Sequence, residues 1–324
     1  MLQVKDLCVA YTSRRTQPVS AVRGVTVTVP DNTFVGLVGE SGCGKSTLGY
    51  AIAGMLDAKR HAVSGEVLLN GQNLLDLSES EFRKLRWRKI SIVLQGGMNA
   101  FNPVLKIKYQ FIDVMRAHSN MSMEEMKKRI ADLLMQVSLG PEVMEAYPHE
   151  LSGGMKQRTA IALALCLEPE LVIMDEPTTA LDVVVQRSIV NMLKTLQSRL
   201  NFSVLFISHD LGLVLEVAQR VMVMYAGQIV ESKVADKLLQ QAEHPYTQAL
   251  LNCYVDPQAT ETRLVGIPGA PPDLSMPIHG CTFAPRCSKV FDYCRTTTPL
   301  LFSTEQEFAL CHLMNREGVR AHES

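Results

Sequence analysis

Gly39-Glu40-Ser41-Gly42-Cys43-Gly44-Lys45-Ser46-Thr47 is the stretch that decides the fold. The apolar run Phe34-Val35-Gly36-Leu37-Val38 before it reads as a buried strand, and Leu48-Gly49-Tyr50-Ala51-Ile52-Ala53 after it as the start of a helix. A GxxxxGK[ST] run set between a strand and a helix is a phosphate cradle. Gly39, Gly42 and Gly44 let the backbone N–H groups along Ser41, Cys43 and their neighbours turn toward one anion, and the helix N-terminus adds partial positive charge. In this motif Lys45 reaches the terminal phosphates and the Ser46 hydroxyl binds Mg²⁺. A glycine-rich turn without a ligand is the plainer alternative, but motif and context together imply a nucleoside triphosphate.

Outward from this loop, short apolar runs alternate with helical patterns. Gln3 to Tyr11 and Val25 to Val29 read as strands, and Gly65 to Gly71 as a strand closed by an Asn-Gly turn. Ile90 to Leu94, Leu171 to Asp175 and Ser203 to Ile207 read as buried strands. Met126, Ile130, Leu133, Leu134 and Val137 recur at helical spacing, as do Val185, Ile189, Met192, Leu193 and Leu196. Strands alternating with helices imply an α/β fold whose largely parallel sheet holds ligands at its carboxyl edge. The P-loop, Asp175-Glu176 and Ser208-His209 all fall just past strand ends. In a P-loop protein the Asp at such a strand end, Asp175, holds Mg²⁺, and the adjacent Glu176 can polarise an attacking water.

Composition bounds the function class. With 324 residues, 47% hydrophobic and 20% charged, and a formal net charge of −1, the chain can bury a large core and shows no basic excess for nucleic acid. No run of eighteen apolar residues appears, so a chain that does not itself span a membrane is expected. Met1-Leu2-Gln3-Val4-Lys5 lacks the pattern of a secretory signal, and a cytoplasmic location is the expectation. Of the eight cysteines, Cys281, Cys287, Cys294 and Cys311 cluster near the C-terminal end. In a reducing compartment such a cluster suggests metal before disulfides, although it lacks the paired C-x₂-C spacing of many zinc folds. A 4Fe–4S cluster, zinc and bare thiols remain the three readings. Ile267-Pro268-Gly269-Ala270-Pro271-Pro272 reads as an ordered linker.

Leu151-Ser152-Gly153-Gly154-Met155 opens a further helix, with Ser152 as a plausible N-cap and glycines that leave N–H groups open to an anion. At this point the residues resemble the ATPase subunits of ATP-binding cassette (ABC) transporters, over about Leu2 to Leu251. The set is Gly39–Thr47 as Walker A, Gln95 as the Q-loop, Leu151–Met155 as the signature, Leu171–Glu176 as Walker B, Ala180-Leu181-Asp182 as the D-loop, and His209 as the switch histidine. The resemblance implies a RecA-like parallel-sheet core with an antiparallel β subdomain and a helical subdomain at about 99–167. It divides the chain into an ATPase domain, 1–255, and a small cysteine-containing C-terminal extension, 256–324. By the same resemblance Tyr11 stacks on adenine, Gln95 contacts Mg²⁺ or water, and His209 orients the attacking water. Asp182 would communicate across a dimer, and Ser152, Gly153 and Gly154 would cover an ATP held by another subunit.

Thr178 to Gln186, His244 to Leu251 and Gly280 to Cys287 further resemble the oligopeptide/dipeptide importer branch, which includes nickel and some oligosaccharide systems; some of its members carry a 4Fe–4S cluster in the tail. Gln95-Gly96-Gly97-Met98-Asn99 departs from the more frequent Gln-Glu-Pro-Met and leaves sugars open as substrates. The implied partners are a second, distinct ATPase subunit, two transmembrane permease subunits and an extracytoplasmic solute-binding protein, with no nucleic acid. The implied place is peripheral, on the cytoplasmic face of the cell membrane.

Overall fold

A computed structural model describes residues 1–12, 17–97, 100–253, 266–301, 303–304 and 307–314. Met98 and Asn99 of the Q-loop, and the expected domain boundary at 255/256, lie outside these residues. By its contacts the chain forms two compact units: Met1–Val29, Val35–Leu75 and Ser208–Ser324 make the first, Pro30–Phe34 and Asp76–Ile207 the second.

The first unit opens with β1 (Leu2–Tyr11) and β2 (Val19–Val29), followed by β3 (Phe34–Val38), α1 (Lys45–Ile52), β4 (His61–Leu69) and β5 (Gln72–Asn73). An antiparallel sheet runs in the order β2-β1-β4-β5. Along β1 the buried side chains are Leu2 and Val4, then Leu7 and Val9. That one-residue slip in the period of two is a bulge, marked by a register shift and by Asp6 at φ 47°. Asn70 and Gly71, at φ 51° and 83°, make the tight β4–β5 turn that the Asn-Gly pair favours.

The chain then enters the second unit with α2 (Glu79–Leu85), β6 (Ile90–Val93), α3 (Ile107–His118), α4 (Met123–Gln136), α5 (Gly153–Ala164), β7 (Leu171–Asp175), α6 (Val183–Leu200) and β8 (Ser203–Ser208). β6, β7 and β8 pair in parallel. β7 and β8 are buried along their length, as continuous apolar runs covered on both faces must be. A Ser122–Glu125 capping box starts α4, which buries Met126, Ile130, Leu133 and Leu134 on one face. The helical stretch 99–167 expected from the sequence thus contains α3, α4 and α5.

Back in the first unit come α7 (Leu211–Val217), β9 (Arg220–Tyr225), β10 (Gln228–Val234), α8 (Ala235–Gln240), α9 (Pro245–Asn252), α10 (Asp292–Thr296), β11 (Ser303–Thr304) and β12 (Glu307–Ala309). β9 runs parallel to β3, with Val38 opposite Val223, and antiparallel to β10, with a turn at Ala226-Gly227. β12 pairs with the outer side of β10. The sequence reading assigned nothing to β9 and β10; the unbroken run Val221–Tyr225 ending in Ala-Gly carried the signal. Buried Glu231 on β10 is satisfied by Lys233 at 3.4 Å and by the N–H groups of Glu243 and His244 at 2.8 and 3.0 Å.

Candidate functional site

The loop between β3 and α1 takes its shape from its glycines. Gly44 sits at φ 106°, and a Cβ there would lie 2.1 Å from the Ala21 carbonyl oxygen. A Cβ on Gly39 would lie equally close, 2.1 Å, to the Met224 carbonyl oxygen. No other residue type fits either place. The helix starts at Lys45, earlier than the sequence pattern places it, so Lys45, Ser46 and Thr47 all lie in its first turn. No side chain caps it, which leaves its first N–H groups facing the loop. Lys45 is buried, 5% exposed, and its ammonium donates to the carbonyls of Gly39 at 2.8 Å and Glu40 at 3.0 Å. Cys43 is buried beside it, and burial pushes its thiol above the ordinary range. The β9–β10 turn braces the loop through the Gly227 N–H, which donates to the Cys43 carbonyl at 2.9 Å. Ser41 and Gly42 are exposed.

Tyr11, at the end of β1, is not a core residue. It is 39% exposed, pairs its hydroxyl with the Thr47 hydroxyl at 2.9 Å and meets the His61 ring edge-on at 4.6 Å. An aromatic face is thereby fixed beside the first turn of α1. His209 is exposed just before α7, which Asp210 caps by accepting the Leu213 N–H at 3.0 Å.

In the second unit, β7 ends at Asp175, which is fully buried. Glu176 follows at φ 45°, a left-handed conformation that costs a non-glycine residue about 1 kcal/mol and breaks the strand. Its carboxylate is held at two points: Gln95 donates to Oε2 at 3.1 Å and the Thr179 hydroxyl to the same oxygen at 2.9 Å. The structure therefore brings Gln95 to Glu176; Thr179 was not singled out from the sequence, since a threonine three residues past an acidic pair gives no signal alone. Asp182 caps α6, accepting the Val185 N–H at 2.9 Å, and Val183 and Val184 beside it are 67% and 79% exposed. Ser152 caps α5 through the Met155 N–H at 3.3 Å, with Gly153 in the first turn and Gly154 just inside it.

The tail cysteines come together without showing a metal site. Cys281, Cys287, Cys294 and Cys311 do line one narrow cavity, together with His244 and His312. Among the described residues, however, no group of three or more His, Cys, Asp or Glu is arranged to hold a metal ion. Burial pushes the Cys281 and Cys311 thiols up to about 11 and raises Cys287 as well, so in the metal-free protein these thiols are protonated. In this arrangement the set gives no support for a 4Fe–4S or zinc site.

Comparison with known proteins agrees with this geometry. The family described as "ABC transporter" matches residues 22–179, and "Oligopeptide/dipeptide transporter, C-terminal region" matches residues 230–294. The chain is 39% identical over 323 residues, 98% of each protein, to the oligopeptide transport ATP-binding protein AppD of Bacillus subtilis. It is 38% identical over 303 residues to the dipeptide transport ATP-binding protein DppD of Escherichia coli, covering 93% of this chain and 92% of that one. A bacterial ABC transporter cassette solved as a dimer superposes with a TM-score of 0.65 at 28% identity, covering 72% of this chain and 99% of the cassette. The same cassette in a post-hydrolysis state holds ADP and phosphate and matches equally well. A glycine-shaped loop at the head of α1, a two-point-held Glu176 after β7 and relatives 39% and 38% identical over nearly the whole chain lead to one conclusion: this chain belongs to the ABC transporter family, as one of its ATP-hydrolysing subunits.

Proposed function

We propose that this chain powers the import of peptides or related small solutes. The observation that carries the reading is the joining, in one chain, of the phosphate cradle to a tail of the oligopeptide/dipeptide transporter type. Support comes from relatives named for oligopeptide and dipeptide transport that match over nearly all of their length. Lys45 and the N–H groups of Gly39–Thr47 bind the phosphates of ATP, and Tyr11 stacks on adenine. Mg²⁺ takes few protein oxygens, and the Ser46 hydroxyl and the buried Asp175 carboxylate are donors of the right type; Gln95 completes that set. Glu176, kept in place by Gln95 and Thr179, takes a proton from the attacking water, and His209 orients that water. Asp182 and Ser152–Gly154 act toward a second ATPase subunit, whose own ATP Ser152–Gly154 would cover.

That partner is a distinct paralogue, and the pair drives two permease subunits fed by an extracytoplasmic binding protein. Among the described residues no helix is long and apolar enough to cross a membrane, which suits a peripheral subunit on the cytoplasmic face. The division follows as an ATPase domain, 1–255, with its helical part at about 99–167, and an extension, 256–324. Uptake of labelled dipeptides and oligopeptides by cells lacking this chain tests the reading. Uptake should fall, return with the parent chain and fail to return with Lys45→Ala. Loss of oligosaccharide or nickel uptake instead would reassign the solute. The shared cavity of Cys281, Cys287, Cys294 and Cys311 is the one observation in favour of a cluster there. Iron and sulfide in anaerobically purified protein would establish the cluster; the absence of iron, sulfide and zinc would leave bare thiols.

A further inference from the structure

Arg286 stands in the cysteine-bearing loop of the tail, and Glu40 in the P-loop, 246 positions earlier. The guanidinium takes both carboxylate oxygens: Nη1 donates to Oε2 at 2.8 Å and Nη2 to Oε1 at 3.0 Å. Its remaining donors are used as well. Nε donates to the Pro268 carbonyl at 2.8 Å, Nη2 to the Ile267 carbonyl at 3.3 Å, and Nη1 to the Tyr225 hydroxyl at 3.3 Å. The proline-rich segment thus aims the fork. Only 5% of the Arg286 side chain and 25% of the Glu40 side chain are exposed. A bidentate pair this shielded is directional and is screened far less than a surface pair.

The backbone of Glu40 is held from the same side. Its N–H donates to the Tyr246 hydroxyl at 3.0 Å, and its carbonyl receives the Lys45 ammonium at 3.0 Å. Tyr246 packs on Phe283 of the tail loop, with ring centres 5.4 Å apart, and Phe283 meets Tyr225 edge-on at 5.2 Å. Glu40 therefore carries an acidic group inside a loop built for a polyanion, and Arg286 is the group that neutralises it.

We propose that Arg286 is a positioning residue for the nucleotide: it neutralises Glu40 and fixes the P-loop backbone, so that the tail and MgATP bind cooperatively. The inference rests on the P-loop being the nucleotide site. It gives the tail a task beyond packing, because coupling between two sites is reciprocal. Whatever loosens the loop around Cys287 weakens ATP, and ATP tightens that loop by the same factor.

Titration of MgATP onto the purified full-length chain tests it. Arg286→Ala raises the Kd by about tenfold, within the range usual for coupled sites. Adding Glu40→Gln to it restores part of the loss, since the unneutralised carboxylate is gone; simple loss of packing would give no such rescue. Parent affinity in Arg286→Ala, or a loss that Glu40→Gln leaves unchanged, overturns the proposal. The parent chain supplies a readout that needs no substitution. Saturating MgATP slows alkylation at Cys287, followed on its own peptide by mass spectrometry, by about the same tenfold; an unchanged rate overturns the proposal even where Arg286→Ala does not fold. Lys45→Ala separates the two levels. If it still binds MgATP, the P-loop reading itself fails; if it does not bind while Arg286→Ala binds with the parent Kd, only the role of Arg286 fails.

Discussion

Residues 39–47 and 280–287 are loops of similar length in the same unit, and they are held in opposite ways. The first is fixed by its own backbone: glycines at close approaches, a helix beginning inside it, and a lysine folded onto carbonyls five and six residues before it. The second is fixed from far away. Phe283 is buried against Tyr225, Tyr246 and His244, and Arg286 reaches back to Glu40. A loop held locally keeps its shape wherever it is placed. A loop held by distant side chains has a shape only while those partners stay put, which makes it responsive to them.

The largest expected effect lies outside both loops and calibrates them. Glu176→Gln should lower turnover by about 10²–10⁴-fold while MgATP binding persists, measured as ATPase activity against equilibrium binding. Equal turnover would remove Glu176 as the base and leave the P-loop alone with the chemistry. Next, Phe283→Ala should cost about 3–5 kcal/mol in denaturant unfolding, the usual range for a buried aromatic. A loss below about 1 kcal/mol would mean that the tail is merely appended to the unit, and the contrast would collapse.

Gly44→Ala should weaken MgATP binding by about 100-fold, because the new methyl meets the Ala21 carbonyl and a misplaced cradle misaligns every phosphate contact. Unchanged affinity would show that the P-loop is less rigid than its own glycines require. The smallest effect is a pH slope in the tail's support. His244 is fully buried, its Nδ1 accepts the Tyr246 N–H at 3.0 Å, and burial holds its imidazole down at about 3. The unfolded chain takes up a proton near pH 6.5 and the folded chain does not, so stability is complete above that pH. It is then lost, as pH falls from about 6.5 to about 3, at about 1.4 kcal/mol per unit. His244→Asn retains a cap acceptor and should flatten that slope in melts at pH 7, 6 and 5. Parallel slopes in parent and variant would remove His244 as the cause.

The same contrast explains what could be read in the sequence. The strand, loop and helix around Lys45 were legible because local rules govern them, and so were the buried faces of α4 and α6. Whether Tyr11 lies in the core or at the surface is not legible in its neighbours; its exposure and its bond to Thr47 place it at the surface. The Gln95–Glu176 contact spans 81 positions and leaves no mark on either residue's neighbours. Arg286 was visible within Cys281–Cys287, yet nothing there announces Glu40. The cysteines were legible as a cluster, and they do line one cavity, but their spacing in the chain does not say what, if anything, they hold.

β12 has a practical consequence for anyone shortening this protein. It covers one flank of β10 and shields the hydrogen-bonding groups of a strand that is buried over most of its length. An ATPase trimmed at residue 255 would present that flank bare, next to Ile229 and Val230, as a template on which a second chain could add. Recovering only insoluble material from such a truncation would therefore say little about whether the shortened cassette can use ATP.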